Sequence, residues 1–149
     1  VSTTALIVMI VGIFVVQLAI FIPLMGWMRK KAAAITEQMR AALGDDLVWG
    51  PAPGYYGGAT ATYPKAKGNA ILAVTKTTLE CRRLIGDPLH VSLARIKAIR
   101  EDKWFQGTYR GGRMNLILQL DDGATVAFQA EDLASLRAAV EGSAGVTRA

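Results

Sequence analysis

The chain of 149 residues holds a single histidine, His90, and a single cysteine, Cys81. Metal binding draws on clusters of His, Cys and carboxylate ligands, and nucleophilic catalysis on a thiol or hydroxyl beside a base. His90 follows Pro88 and Leu89 and has no acidic or thiol residue at useful spacing. Cys81 falls in a strand-like apolar run, where a small buried side chain is its simplest role. The carboxylate pairs Asp45-Asp46, Glu101-Asp102, Asp121-Asp122 and Glu131-Asp132 each sit at a turn or helix start. Acidic residues have a local structural reason to be in such places. The sequence contains no P-loop, dinucleotide fingerprint or nucleophile elbow. These readings point away from catalysis, and they assign no cofactor, no metal and no small-molecule substrate.

Basic and aromatic residues carry more information. Eleven lysines and arginines between Lys65 and Arg113 face only Glu80, Asp87, Glu101 and Asp102, and the whole chain has a formal net charge of +5. Such a surface suits an anionic bilayer, where each basic residue close to the lipid contributes about 1 kcal/mol. Nucleic acid would also favour it, yet no nucleic-acid motif accompanies the charge. Lys65, Lys67, Arg82 and Arg83 are the candidate lipid contacts. The stretch "DKWFQGTYRGGR" interleaves Trp104, Phe105 and Tyr109 with Arg110 and Arg113. Aromatics and arginine dominate interface hot spots, so these five residues form a candidate partner-docking loop. The glycines of "YRGGR" could cradle an anion, although a strand-connecting loop explains them as well.

Whatever these residues meet is set by the element that precedes them. Between Thr4 and Met28 the one strongly polar side chain is Gln17. A helix of this length can cross a hydrocarbon core of about 30 Å. Residues 1–28 therefore read as a transmembrane helix. A cleaved signal peptide would carry its positive charge before the apolar run, whereas here Arg29, Lys30 and Lys31 follow it. Positive-inside bias places those residues, and the whole chain beyond them, in the cytoplasm, with Trp27 at the membrane interface. The lone cysteine agrees with a reducing compartment. The expected location is thus a cytoplasmic membrane, crossed once.

Residues 29–44 continue as a helical stalk, with Ile35, Met39 and Leu43 recurring along one face, a stripe that suits packing on the protein's own domain better than on a partner helix. Pro23 is a potential kink. Residues 45–68, rich in proline and glycine, read as connection, with Trp49, Tyr55 and Tyr56 folding back on the C-terminal domain. Beyond Gly68 the apolar period becomes two. "NAILAVT", "TLECRRL", a strand near "LHVSL" and "IKAIRE" lead to the hairpin "RMNLILQL-DDG-ATVAFQA", turned at Asp122-Gly123. In it Met114, Leu116, Leu118 and Leu120 share one face with Val126, Phe128 and Ala130. A helix comes next, with Leu133, Leu136 and Val140 on its buried stripe, Glu131 and Asp132 in its first turn and Gly142 at its end. Residues 69–142 form the domain and 143–149 a tail. The fold class is α+β: a membrane helix, then a small antiparallel sheet or partly open barrel closed by a C-terminal helix.

From Tyr55 to Glu141 the chain resembles the bacterial pleckstrin-homology-like group, which includes GRAM-like domains. The resemblance rests on Val74-Thr75 with Leu79, on Ile96 with Ile99, and on Asp122-Gly123 leading into the closing helix. It implies that fold and a scaffold used for lipid head groups, peptides and protein docking alike. Two functions are expected on this basis. One is a non-catalytic accessory or scaffold subunit, packed against other membrane protein subunits of a larger complex. The composition, rich in Ala, Gly, Val and Arg, looks actinobacterial, and respiratory assemblies are one such home. The other is a module that recognises anionic membrane lipids.

Overall fold

The computed structural model describes residues 1–145. A single helix, α1 (Thr3–Leu43), runs unbroken through Pro23. Ser2 caps its start by accepting the Ala5 N–H, and the Gly44 N–H returns to the Arg40 carbonyl at its end. Its apolar part is long enough to cross a membrane, and none of its most apolar window is buried. The apolar part and the stalk are thus one continuous rod.

A short 3₁₀ turn (Gly44–Asp46) leads into β1 (Leu47–Ala59). The strands β2 (Gly68–Thr75), β3 (Thr78–Arg83), β4 (Leu89–Ser92) and β5 (Ile96–Asp102) come next. A small hairpin, β6 (Trp104–Phe105) and β7 (Thr108–Tyr109), precedes β8 (Asn115–Leu120), β9 (Thr125–Ala130) and the closing helix α2 (Leu133–Ala144). Seven strands make one antiparallel sheet in the order β4-β3-β2-β1-β9-β8-β5. Val91 of β4 and Ile96 of β5, at opposite ends of that order, belong to one core with Leu72, Leu116, Phe128, Leu136 and Val140. The sheet therefore curls around its own apolar face, and α2 closes it.

The largest departure from the sequence reading is β1. The composition of residues 45–68 predicts connection, yet 47–59 form the strand on which β2 and β9 both pair. The register shifts between Leu47 and Trp49, between Trp49 and Ala52 and again between Tyr56 and Ala59, so the period-two signal is broken three times. Pro51 sits in the second of these, between Trp49 and Ala52, and Pro53 lies before β1 meets β9, where the strand has a neighbour on one side only. Gly50 holds φ at +75°, and a Cβ there would lie 2.6 Å from the Leu72 carbonyl oxygen. Only glycine suits that bend. The aromatics fold back as expected: Tyr56 is fully buried, and the Trp49 indole N–H donates to Ser135 Oγ on α2.

The hairpin β8–β9 and α2 match the sequence closely, with three shifts. Met114 precedes β8 and is exposed. Asp132 is the N-cap of α2, accepting the Ser135 N–H, so it stands just before the first turn. Gly142 lies within α2, which runs on through Ser143 and Ala144 to a left-handed cap at Gly145. The rest of the expected tail lies outside the described residues.

At the β8–β9 turn, the Ala124 N–H and, next, the Arg95 guanidinium hold the Asp122 carboxyl below its ordinary range. A depressed folded value stabilises the fold above the unfolded value, and that stabilisation is lost as pH falls through the folded one. The Ala124 amide resonance is expected to titrate in that acid window, before the core unfolds.

Candidate docking surface

The expected stalk stripe packs on the domain. Met39 is fully buried against Ile71 and Ala73, with Ala32, Ile35, Leu43 and Leu47 around it. This cluster lies on the outer face of the sheet, separate from the core. The contacts of α1 with the sheet concentrate on β1 and β2, so the stalk runs along these strands. Its Leu43 end lies at the end of β2 where Thr75 pairs with Leu47, and the Lys76 N–H bonds the Asp46 carbonyl there. The apolar span of α1 therefore leaves past the opposite, Gly68, end of β2. Met39 stands about 18 Å above Trp27 along the helix. Ile71 to Gly68 covers roughly 10 Å of that drop. The loops at the Gly68 end thus lie on the side of the domain toward Trp27, Arg29, Lys30 and Lys31. Trp27 is half-exposed there, with the Lys31 ammonium 4.9 Å from its ring.

The hairpin β6–β7 gathers at the same end. The Lys67 ammonium donates to Thr108 Oγ1, and the Gln106 amide donates to the Ala59 carbonyl. Trp104 and Tyr109 pair across the hairpin with ring centroids 5.0 Å apart, exposed to 57% and 48%. Phe105 does not join them. It is buried against Ile117 and Ala127, on the outer face of β8 and β9, and anchors the hairpin. The expected docking role of Phe105 is thereby corrected, because successive strand residues point to opposite faces.

Arg110 lies with its guanidinium carbon 3.8 Å from the centroid of the Tyr55 ring and donates to Gln129 Oε1. The buried Gln129 amide donates in turn to Asn115 Oδ1, and Asn115 donates to the Asp102 carbonyl. The loop after the hairpin is fixed by this chain of partners rather than left as a swinging arm. Arg113 is exposed and lines a shallow hollow with Arg110, Asn69 and Glu131. The sequence marks Tyr55 only as a folded-back aromatic, yet it is the platform under Arg110.

The four candidate lipid residues separate. Lys65 is exposed, and Lys67 joins the hairpin. Arg82 is half-buried and pairs with Ile71, so it projects on the stalk face of the sheet. Arg83 pairs with Ala70 and points inward at one end of the curled sheet. It donates through Nε and Nη2 to the Asp87 carbonyl and through Nη1 to the Ala66 carbonyl, and sits over the Tyr56 ring at 5.7 Å. Arg83 is thus a buried strut and is corrected as a lipid contact. Gly86, at φ +113°, lies against its guanidinium, where a Cβ would come within 2.7 Å. Beside it, Ile85 is 77% exposed at the same end of the domain.

The chemically suggestive side chains lie elsewhere. Cys81 is fully buried, and burial pushes its thiol up to about 12. His90 is exposed opposite Glu80 on β4. No group of metal-ligating side chains forms among the described residues. Native protein at pH 8 is expected to resist iodoacetamide at Cys81 and to label fully in denaturant, as mass spectrometry would read; rapid native labelling would refute the buried thiol.

No protein family matches this sequence, and no curated protein matches it either. Among solved structures, the chain shares its fold with the C-terminal domain of an unknown protein from Leishmania infantum. The TM-score is 0.51 at 10% identity, over 76% of this chain and 97% of that one.

Proposed function

We propose that this protein is a non-catalytic accessory or scaffold subunit of a larger bacterial membrane complex. The apolar span of α1 crosses the cytoplasmic membrane once. A pleckstrin-homology-like domain, a partly open barrel closed by α2, is held on the cytoplasmic side by Arg29, Lys30 and Lys31. One observation carries the reading. An exposed aromatic pair, Trp104 and Tyr109 with ring centroids 5.0 Å apart, sits on a hairpin that is tied to Lys67 and Ala59 at the Gly68 end of β2. Exposed, pre-stacked aromatics flanked by Arg110 and Arg113 are what a protein interface uses as anchors. An actinobacterial respiratory assembly is one complex that such a subunit would serve.

Extraction in mild detergent followed by size analysis tests this. The protein should migrate with other subunits, and migration only as a free monomer would sink the reading. The double variant Trp104→Ser/Tyr109→Ser should lose at least about tenfold in retained partner, since hot-spot truncations cost roughly 2 kcal/mol or more. Its thermal unfolding should stay close to the parent's, because both rings are exposed.

A second reading, contact with anionic lipid, is favoured by the placement of Lys65, Lys67 and exposed Ile85 at that same end. In nanodiscs, a fluorophore at Ile85 would then shift to the blue with anionic lipid and revert with salt. Identical spectra in neutral discs would count against it.

A further inference from the structure

Gln17 stands near the middle of the apolar span, and among the described residues its side chain meets no hydrogen-bond partner. It opens onto a shallow groove flanked by Phe14, Leu18, Phe21 and Leu24. In a bilayer that groove is without water, and the head groups lie about 15 Å away, beyond a glutamine's reach. An amide there seeks a donor and an acceptor on another helix.

The fold restricts which helix that is. Gln17 and Ile35 are 18 residues apart, which is five turns at about 3.6 residues each. They lie on one face of the unbroken rod, and Ile35 with Met39 is where the domain packs. The domain therefore overhangs the Gln17 groove. A second copy seated in the groove, parallel as its topology demands, would run its own stalk upward at roughly 8–10 Å. That space is filled by this domain.

We infer that the Gln17 groove takes a transmembrane helix of a different membrane protein. That helix carries a hydrogen-bonding group at mid-membrane depth and ends at the cytoplasmic surface, beneath the domain. The inference rests on the accessory-subunit reading and gives its partner a chemistry.

Photo-crosslinking amino acids placed in the full chain in native membranes test it. Probes at Phe14 and Phe21 face the groove, probes at Val15 and Ile22 face away, and one at Trp104 reports the cytoplasmic contact. The groove probes should give an adduct with a different protein, and the opposite probes lipid adducts only. Gln17→Leu should reduce the groove adduct about fivefold or more, whereas Gln17→Asn should retain most of it. An adduct at twice the chain's own mass, equal yields on both faces, or indifference to Gln17→Leu would overturn the inference. If Trp104 captures a protein while the groove captures only lipid, the inference falls and the accessory reading stands. If neither captures one, both fall.

Discussion

Replacing Met39 with aspartate is expected to release the domain from the stalk without unfolding it. Met39 is the centre of a cluster that shares no buried residue with the core, so removing it leaves the curled sheet and α2 intact. Truncating a fully buried methionine costs about 2–5 kcal/mol, and a carboxylate in that place would add the penalty of an unpaired buried charge. No packing contact of this size remains to hold the rod against β1 and β2, so the equilibrium shifts to a free domain on a loose joint. Protease cleavage near Gly44–Asp46 should accelerate strongly. The distance between spin labels at Lys31 and at Lys97 on β5 should change from one narrow distribution to a broad one. An unchanged distribution would show that the stalk is held by something other than this cluster. Met39→Leu, similar in volume, should retain the narrow distribution.

Arg83→Ala is expected to lower stability by roughly 3 kcal/mol while leaving any surface contact of the domain untouched. The guanidinium bonds two loop carbonyls, at Asp87 and Ala66, and covers the Tyr56 ring. Its loss leaves these carbonyls unpaired where the β1–β2 and β3–β4 connections meet. Tyr56, whose phenol is pushed up to about 12 by burial and which donates to the Pro64 carbonyl, would lose its cover on that side. Lys65→Ala, one loop away and exposed, should change stability by less than about 0.5 kcal/mol. Denaturant unfolding of the two variants separates strut from surface charge. Equal small effects would mean that Arg83 is not structural.

These two residues show where the sequence is legible. The N-terminal helix is written in the length of its apolar run, and the Asp122-Gly123 hairpin and the stripe of Leu136 and Val140 in unbroken periods of two or 3.6, which a linear reading detects. The Ile35, Met39 and Leu43 stripe belongs with them. Arg82 and Arg83 are identical in type and adjacent, and only the register of β3 sends one to the stalk face and the other inward. Trp104 and Phe105 separate for the same reason, in a strand two residues long that offers no period at all. β1 is hidden because its three register shifts put it out of phase and its prolines mimic a linker. The docking surface is illegible for a further reason. Lys67, Tyr55, Arg110 and Gln129 come together only through pairings of β1, which the linear pattern conceals.

The sheet has two free margins, β4 and β5, and each is poorly suited to accept another strand. β4 is four residues long and carries exposed His90. β5 is broken in register after Ile96 and turns Lys97, Arg100 and Glu101 to solvent. Short, charged and irregular margins discourage β-strands of other chains from annealing onto them. Held in a membrane as proposed, the protein would meet its neighbours crowded in two dimensions, at high local concentration, where this protection has a practical effect. Chance encounters do not extend the sheet into fibres, and association is left to side-chain surfaces that can discriminate between neighbours.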